Sequence, residues 1–337
     1  MIKSITKAEA QKRMNEYGEA GIPFLFLIDF EMEQPVVLRL DEVSPDELLY
    51  DINGQSNFRK SANFQATSPG YLRKYPIRFE DYTRGFELVQ QALHAGNSYL
   101  VNLTYPTLIQ TPLSLKDIFH LSRARYRIWW KEHFTVFSPE IFVTIDAAGT
   151  IASFPMKGTI DAELPDAERR LLEDEKERSE HATIVDLIRN DLGMVAKKVE
   201  VKRYRYVERI QTGKGSLLQS SSEIVGTLGA DFASRIGELV FRLLPAGSIS
   251  GAPKQSTVDI IQRAEGQARN YYTGICGLFD GQRLDSGVMI RFVESTPKGL
   301  QFRSGGGITS RSQPKDEYQE LIQKVYFPLV QQPVLLV

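Results

Sequence analysis

The chain has 337 residues, with 41 Lys and Arg against 42 Asp and Glu and a formal net charge of −1. At roughly 150 residues per domain that length leaves room for about two domains, and the balanced charge excludes a nucleic-acid binder acting through bulk positive charge, which needs clustered Lys and Arg against phosphate. The single cysteine, Cys276, excludes an intrachain disulfide framework and a cysteine-based zinc site.

Residues 1–21 are polar and lack an apolar targeting core, and Ile22–Ile28 is too short to span a bilayer. A soluble, cytoplasmic protein without a membrane segment is expected. Residues 7–20 read as a polar helix. Phe24–Asp29 and Pro35–Leu40, rich in Phe, Val and Leu, predict two strands. Residues 52–76 read as loop, with Asn53-Gly54, Ser68-Pro69-Gly70 and Pro76. They mark the expected boundary between a β-rich N-terminal subdomain, 1–75, and a larger domain, 76–337.

Phe79–Ala95 predicts a helix that ends at Gly96, where glycine can take the left-handed cap. Tyr99–Thr104, Phe134–Phe137, Ile141–Ile145 and Thr150–Phe154 read as strands. Ala167–Leu192 is one long helical pattern, entered after Pro165 and left at Gly193. Strand patterns follow at 198–211 and 219–228, and helices at 231–243 and 256–267. Tyr271–Phe279, Val288–Val293 and Leu300–Arg303 predict strands, and Lys315–Tyr326 a closing helix. Helices mixed with many short strand pairs indicate an α+β fold.

Two glycine segments invite a phosphate reading. In Gly247-Ser248-Ile249-Ser250-Gly251-Ala252-Pro253-Lys254, Ala252-Pro253 separates the second glycine from the lysine, so the P-loop pattern fails. Gly305-Gly306-Gly307 lacks the dinucleotide fingerprint. Tight turns, or backbone N–H groups offered to a carboxylate, remain as readings. Glu177 and Glu180, and again Glu317 and Glu320 with Lys324 one turn on, stand at spacings that share a helix face. Spacing alone leaves open both a Mg²⁺ site built from carboxylates and waters and an ordinary solvated face. Lys157, after an apolar strand and before Gly158, reads on its own as a turn lysine.

Six segments together are more specific. Ser138-Pro139-Glu140, Pro155-Met156-Lys157-Gly158-Thr159, the run from Glu180-His181 to Asp191-Leu192-Gly193, Gly247 to Lys254, Gly305-Gly306-Gly307-Ile308 and Glu317-Tyr318-Gln319-Glu320 stand in the order found in the chorismate-utilising enzymes. That family includes anthranilate, isochorismate and salicylate synthases and aminodeoxychorismate synthase component I. The resemblance runs from about residue 80 to the C-terminus. It implies large antiparallel β-sheets packed as a sandwich with helices on the outer faces, and it makes 76–337 a chorismate-binding catalytic domain.

Within the family, anthranilate synthases carry alanine where Lys157 stands, whereas aminodeoxychorismate synthases carry a nucleophilic lysine. Isochorismate and salicylate synthases carry a lysine base at the position of Leu100. Both departures point to the branch that turns chorismate and ammonia into 4-amino-4-deoxychorismate, on the way to para-aminobenzoate and folate. Anthranilate synthase component I is the alternative. The family's histidine in the strand matching 219–222 is Gln219 here, which can hydrogen-bond but cannot supply a proton.

The resemblance further implies that Lys157 attacks ring C2 while Glu140, kept protonated by burial or a nearby carboxylate, assists departure of the 4-hydroxyl. Glu180 and Glu320 would hold Mg²⁺, with Glu177 and Glu317 acting through waters. Tyr272 and Arg291 would hold the enolpyruvyl carboxylate. Lys324, Gly305 and Gly306 would complete the anion pocket, with Ser250, Gly251 and Gly158 in the adjoining turns. A nucleophilic amine should have its pKa lowered by burial or a neighbouring cation. Cys276 sits in an apolar strand pattern without the nucleophile turn of a glutaminase. A separate glutamine amidotransferase subunit is therefore the expected source of ammonia.

Overall fold

The computed structural model describes residues 2–59, 64, 71–212, 215–328 and 335–336. The Ser68-Pro69-Gly70 turn lies outside the described residues. The first part of the chain forms α1 (Lys7–Glu19), β1 (Phe24–Ile28), β2 (Val36–Arg39), β3 (Leu48–Ile52), β4 (Gln55–Ser56), β5 (Tyr71–Tyr75), α2 (Phe79–His94), β6 (Leu100–Gln110) and α3 (Leu115–Leu121). The middle forms β7 (Tyr126–Trp130), β8 (Phe134–Ser138), β9 (Ile141–Ile145), β10 (Thr150–Ser153), β11 (Met156–Asp161), α4 (Ala167–Glu173), α5 (Glu175–Gly193), β12 (Lys197–Thr212) and β13 (Gly215–Thr227). The last part forms α6 (Ile236–Arg242), β14 (Gly251–Ala252), α7 (Lys254–Glu265), β15 (Ile275–Phe279), β16 (Leu284–Val288), β17 (Phe292–Thr296), β18 (Gly299–Ile308), α8 (Pro314–Gln323) and β19 (Leu335–Leu336).

The strands make two large sheets. One runs β11-β13-β10-β9-β16-β15-β1-β2, with β12 also on β13. The other runs β19-β5-β6-β18-β17-β8-β7-β3-β4, with β14 also on β6. All the pairings among described strands are antiparallel except β19 with β5. Successive strand side chains point to opposite faces, and β1 shows the consequence. All five of its residues are buried. Leu25 and Leu27 meet Tyr50, Tyr126, Trp130, Val136 and Phe292 of the other sheet. Phe24, Phe26 and Ile28 face a cluster that gathers α1, α2, α5, α6 and α7. Helix α3 covers the far face of the second sheet through Ile118 and Phe119, against Leu49, Trp129 and Phe302. The fold is thus α+β, a two-sheet sandwich with helices outside.

Residues 1–75 contribute to both sheets. β1 pairs with β15 along its whole length, from Phe24 opposite Phe279 to Ile28 opposite Ile275. β3 pairs likewise with β7. The expected boundary near residue 75 therefore does not divide one sheet system from another.

Four sequence expectations are corrected. The 167–192 helix is two helices, because Asp174 is extended (φ −61°, ψ 115°) and its side chain accepts from the Glu177 amide at 2.8 Å, capping α5. The 288–293 strand is broken: Val288 ends β16 in one sheet and Phe292 begins β17 in the other, with Arg291 at φ +52° in the crossing. The 271–279 strand starts only at Ile275, after turns that close Tyr272 onto Arg269 and Gly274 onto Tyr271. Residues 52–76 are also not all loop, since β4 and β5 lie within them. The α2 helix ends as read, with Gly96 at φ +73°.

Candidate active site

A cavity of ≈ 540 Å³ opens between the ends of the two sheets and helices α5 and α8. Every site residue named from the sequence lines it. Lys157 and Gly158 come from β11, Glu140 from the turn before β9, and Glu177 and Glu180 from α5. Ser250 and Gly251 lie in the turn ahead of α7, Tyr272 ahead of β15, and Arg291 between β16 and β17. Gly305 and Gly306 belong to β18, while Glu317 and Glu320 belong to α8, with Lys324 as its C-cap.

Lys157 reaches the cavity through a β-bulge. Its register partner on β13 is Ser220, while Thr159 pairs with Gln219, so Gly158 is the extra residue. Gly158 has φ +76°, and a Cβ there would stand 3.0 Å from Glu177 Oε2 and from Leu171 Cδ1. The position suits glycine on both counts. Lys157 Nζ donates to Glu180 Oε2 at 2.7 Å. Burial pushes the Lys157 ammonium down, but Glu180, with Glu177 and Glu320 behind it, outweighs burial and holds its pKa above the ordinary lysine value. This corrects the expectation of a lowered value, because the neighbours that the fold supplies are carboxylates.

On the opposite wall Lys324 Nζ pairs with Glu320 Oε1 at 2.6 Å and donates to the Gly305 carbonyl at 2.8 Å. Gly305 lies hard against β6: a Cβ there would stand 2.1 Å from Leu103 O. Arg291 donates to the Lys324 carbonyl at 2.7 Å and stacks over Tyr326 at 4.7 Å, which fixes the guanidinium beside α8. Tyr272 is buried, and burial holds its phenol protonated well above neutral pH. The Ser250 hydroxyl donates to the Ala246 carbonyl at 2.9 Å, so it stabilises its own turn.

Glu140 accepts a hydrogen bond from Ser248 Oγ at 2.5 Å. Burial pushes its carboxyl up, against the opposing effects of Ser248, Lys324 and Lys157. Sequence reasoning missed Ser248, although it lies within the glycine segment already singled out. It also missed the pair that anchors this segment, Lys254 and Asp191 at 2.9 Å. Leu100 lines the cavity. Gln219 does too, and stands in the wall shared with a larger cavity of ≈ 1070 Å³, together with Ile141, Phe154 and Met156.

The acidic residues can be tested as a cation site on chemistry. Among the described residues no three His, Cys, Asp or Glu side chains converge closely enough to enclose a metal ion by themselves. The cavity instead offers oxygen pairs on two facing helices, and a Cβ on Gly306 would be 3.4 Å from both Glu317 Oε2 and Glu320 Oε1. An open, all-oxygen set completed by waters and a ligand anion fits Mg²⁺, which keeps much of its water, and does not fit a closed structural zinc site.

The model of the chorismate-binding enzymes matches residues 7–330. The chain belongs to that family. An uncharacterized PabA-like protein of Pasteurella multocida is 54% identical over 321 residues, covering 94% of this chain and 98% of its own. An anthranilate synthase component 1 of Haloarcula marismortui is 40% identical over 196 residues, 56% of this chain and 38% of its own. Aminodeoxychorismate synthase component 1 of Salmonella typhimurium is 32% identical over 261 residues, 73% of this chain and 56% of its own. Among solved structures, MenF, the menaquinone-specific isochorismate synthase of Escherichia coli, superposes with a TM-score of 0.73 at 18% identity, over 96% of this chain and 82% of its own. That likeness concerns the fold. Among the described residues of this chorismate-binding enzyme, no helix is long and apolar enough to cross a membrane.

Proposed function

We propose that this chain converts chorismate and ammonia to 4-amino-4-deoxychorismate and water, through a covalent intermediate on Lys157. The observation that carries the reading is a lysine amine in the cavity wall, 2.7 Å from Glu180 and facing the same space as Glu140. Leu100 supports it from the other side, since an aliphatic side chain there cannot activate water.

The Lys157 amine in its neutral form attacks ring C2. The C2–N bond forms, both ring double bonds shift (C1=C2 to C1=C6, and C5=C6 to C4=C5), and the C4–O bond breaks. Glu140 gives its proton to the departing oxygen, so water leaves, and the new ammonium on Lys157 sheds one proton. Ammonia then attacks C4, both double bonds shift back, and the C2–N bond breaks as the proton given up by the new C4 ammonium passes to the departing nitrogen, which returns Lys157 as a neutral amine. Two allylic displacements replace one direct substitution. Burial of Glu140 favours the protonated form that this step needs.

Tyr272, Arg291 and the backbone at Gly305 and Gly306 bind the enolpyruvyl carboxylate, with Lys324, Ser250, Gly251 and Gly158 shaping the pocket. Arginine suits this task because its planar fork matches a carboxylate. Glu180 and Glu320 would hold Mg²⁺, with Glu177 and Glu317 acting through waters. When bound, the ion supplies positive charge against the ring carboxylate. A separate amidotransferase subunit supplies the ammonia, and the protein works in the cytoplasm.

Anthranilate synthase is the second reading, favoured by the Haloarcula relative. Incubation with chorismate, Mg²⁺ and ammonium, followed by mass analysis, separates the two. Aminodeoxychorismate keeps the enolpyruvyl group, whereas anthranilate has lost pyruvate. Anthranilate as the sole product refutes the proposal.

A further inference from the structure

We infer that Ser248 is the positioning residue for Glu140, fixing which carboxyl oxygen carries the proton and where that proton points. The inference rests on the reading of Glu140 as the acid. Glu140 is anchored by its backbone: its amide donates to Ser138 Oγ at 3.1 Å, and its carbonyl accepts from the Val288 amide at 3.0 Å. Its carboxyl reaches the cavity, and among the described residues Ser248 alone is hydrogen-bonded to it, through Oε1 at 2.5 Å. An oxygen that accepts from a hydroxyl at that distance is disfavoured as the site of the acid proton. The proton therefore sits on Oε2. After proton transfer, the same hydroxyl stabilises the carboxylate that remains, as a charge-assisted hydrogen bond.

The turn carrying Ser248 is held rigidly. The Gly247 amide donates to Asp191 on α5, and Asp191 pairs with Lys254, which also donates to the Leu243 carbonyl at 2.6 Å. On the other side the Ile249 carbonyl accepts from buried Arg269 at 3.0 Å. A Cβ on Gly247 would stand 2.6 Å from Leu187 Cδ2 and 2.8 Å from Asp191 Oδ2, so only glycine lets the turn sit this close to α5. The glycine segment that fails as a phosphate loop thus acquires a use: it presents one hydroxyl to one carboxyl, 108 residues away in sequence.

The test compares Ser248→Ala, Ser248→Thr, Glu140→Gln and Ser248→Ala/Glu140→Gln at saturating Mg²⁺ and ammonium, each checked for folding by circular dichroism. General acid catalysis contributes about 10²–10⁴ in rate. Misdirecting the proton should cost a share of it: kcat falls at least ~10-fold in Ser248→Ala, while KM for chorismate stays within ~2-fold. Threonine keeps the hydroxyl and should restore kcat to within ~3-fold of the wild type. In the Glu140→Gln background Ser248→Ala should change kcat by less than ~2-fold, because coupled residues are not additive. Equal losses in both backgrounds, a loss confined to KM, or a folded Ser248→Thr that rescues nothing overturns the inference. A wild type inert toward chorismate refutes the proposed function, and a fully active Glu140→Gln refutes the acid role. Difference infrared spectroscopy then reads the contact without turnover. The Glu140 carboxyl stretch should move to higher wavenumber in Ser248→Ala, and an unmoved band overturns the inference.

Discussion

Replacing Glu180 by glutamine should make Lys157 more reactive as an amine. In the wild type the pair is 2.7 Å apart, with the Lys157 side chain 30% exposed and that of Glu180 19% exposed. Glutamine keeps an oxygen at the same place but loses the charge. A hydrogen bond to a charged group contributes about 1.5–3 kcal/mol, and partial exposure argues for the low end. At about 1.4 kcal/mol per factor of ten, the neutral fraction of Lys157 should rise roughly tenfold at fixed pH. The sign is fixed by the chemistry: removing an anion destabilises the ammonium, lowers its pKa and frees the amine. Trinitrobenzenesulfonate labelling in Mg²⁺-free buffer at pH 8, with peptide mass analysis and the exposed lysines as internal standards, measures this. Mg²⁺ added to the wild type should move labelling in the same direction, since a cation on Glu180 competes with Lys157 for the carboxylate. Labelling in Glu180→Gln equal to or slower than in the wild type would refute the account of why this lysine is held protonated.

Four further outcomes are expected. Chorismate without ammonia should leave an adduct of chorismate minus water on Lys157, seen by intact mass, and Lys157→Ala should abolish both adduct and aminodeoxychorismate. Glu320→Gln should raise the Mg²⁺ concentration needed for half-maximal rate at least ~10-fold without altering circular dichroism, whereas an unchanged Mg²⁺ dependence returns these residues to a solvated face. The isolated chain should form no product from glutamine alone, yet turn over with ammonium and faster as pH rises from 7 to 8.5, because neutral ammonia attacks; sustained product from glutamine would reveal a glutaminase site. Phe26→Ala, removing a ring that is wholly buried between β1 and the helices, should cost about 3–5 kcal/mol in urea unfolding, and a loss below ~1 kcal/mol would contradict the packing described.

Residue types and their order were enough to show the class of this molecule and which residues line its cavity. A continuous apolar run made Phe24–Asp29 legible as a strand, and glycine at 96 made the end of α2 legible, because the composition of a short run and a left-handed backbone are local properties. The candidate site was legible as a set, since Lys157, Glu140, the two glutamate pairs and the glycine turns stand in motif order, and all of them line one cavity. What a residue does once there was not local. Asp174 looks like any helical carboxylate until its side chain takes the Glu177 amide and splits the helix. The apolar run through Met289 gives no sign that its two ends belong to different sheets. A nucleophilic role predicts a Lys157 that loses its proton easily, and only the packing of α5 against β11 brings Glu180 to it and reverses the direction. Ser248 and Glu140 meet in the same way, across two elements that no spacing relates. Periodicity records which side of an element is buried; electrostatics and hydrogen bonding depend on which atoms arrive from elsewhere in the chain, and that is settled only when the sheets and helices close on one another.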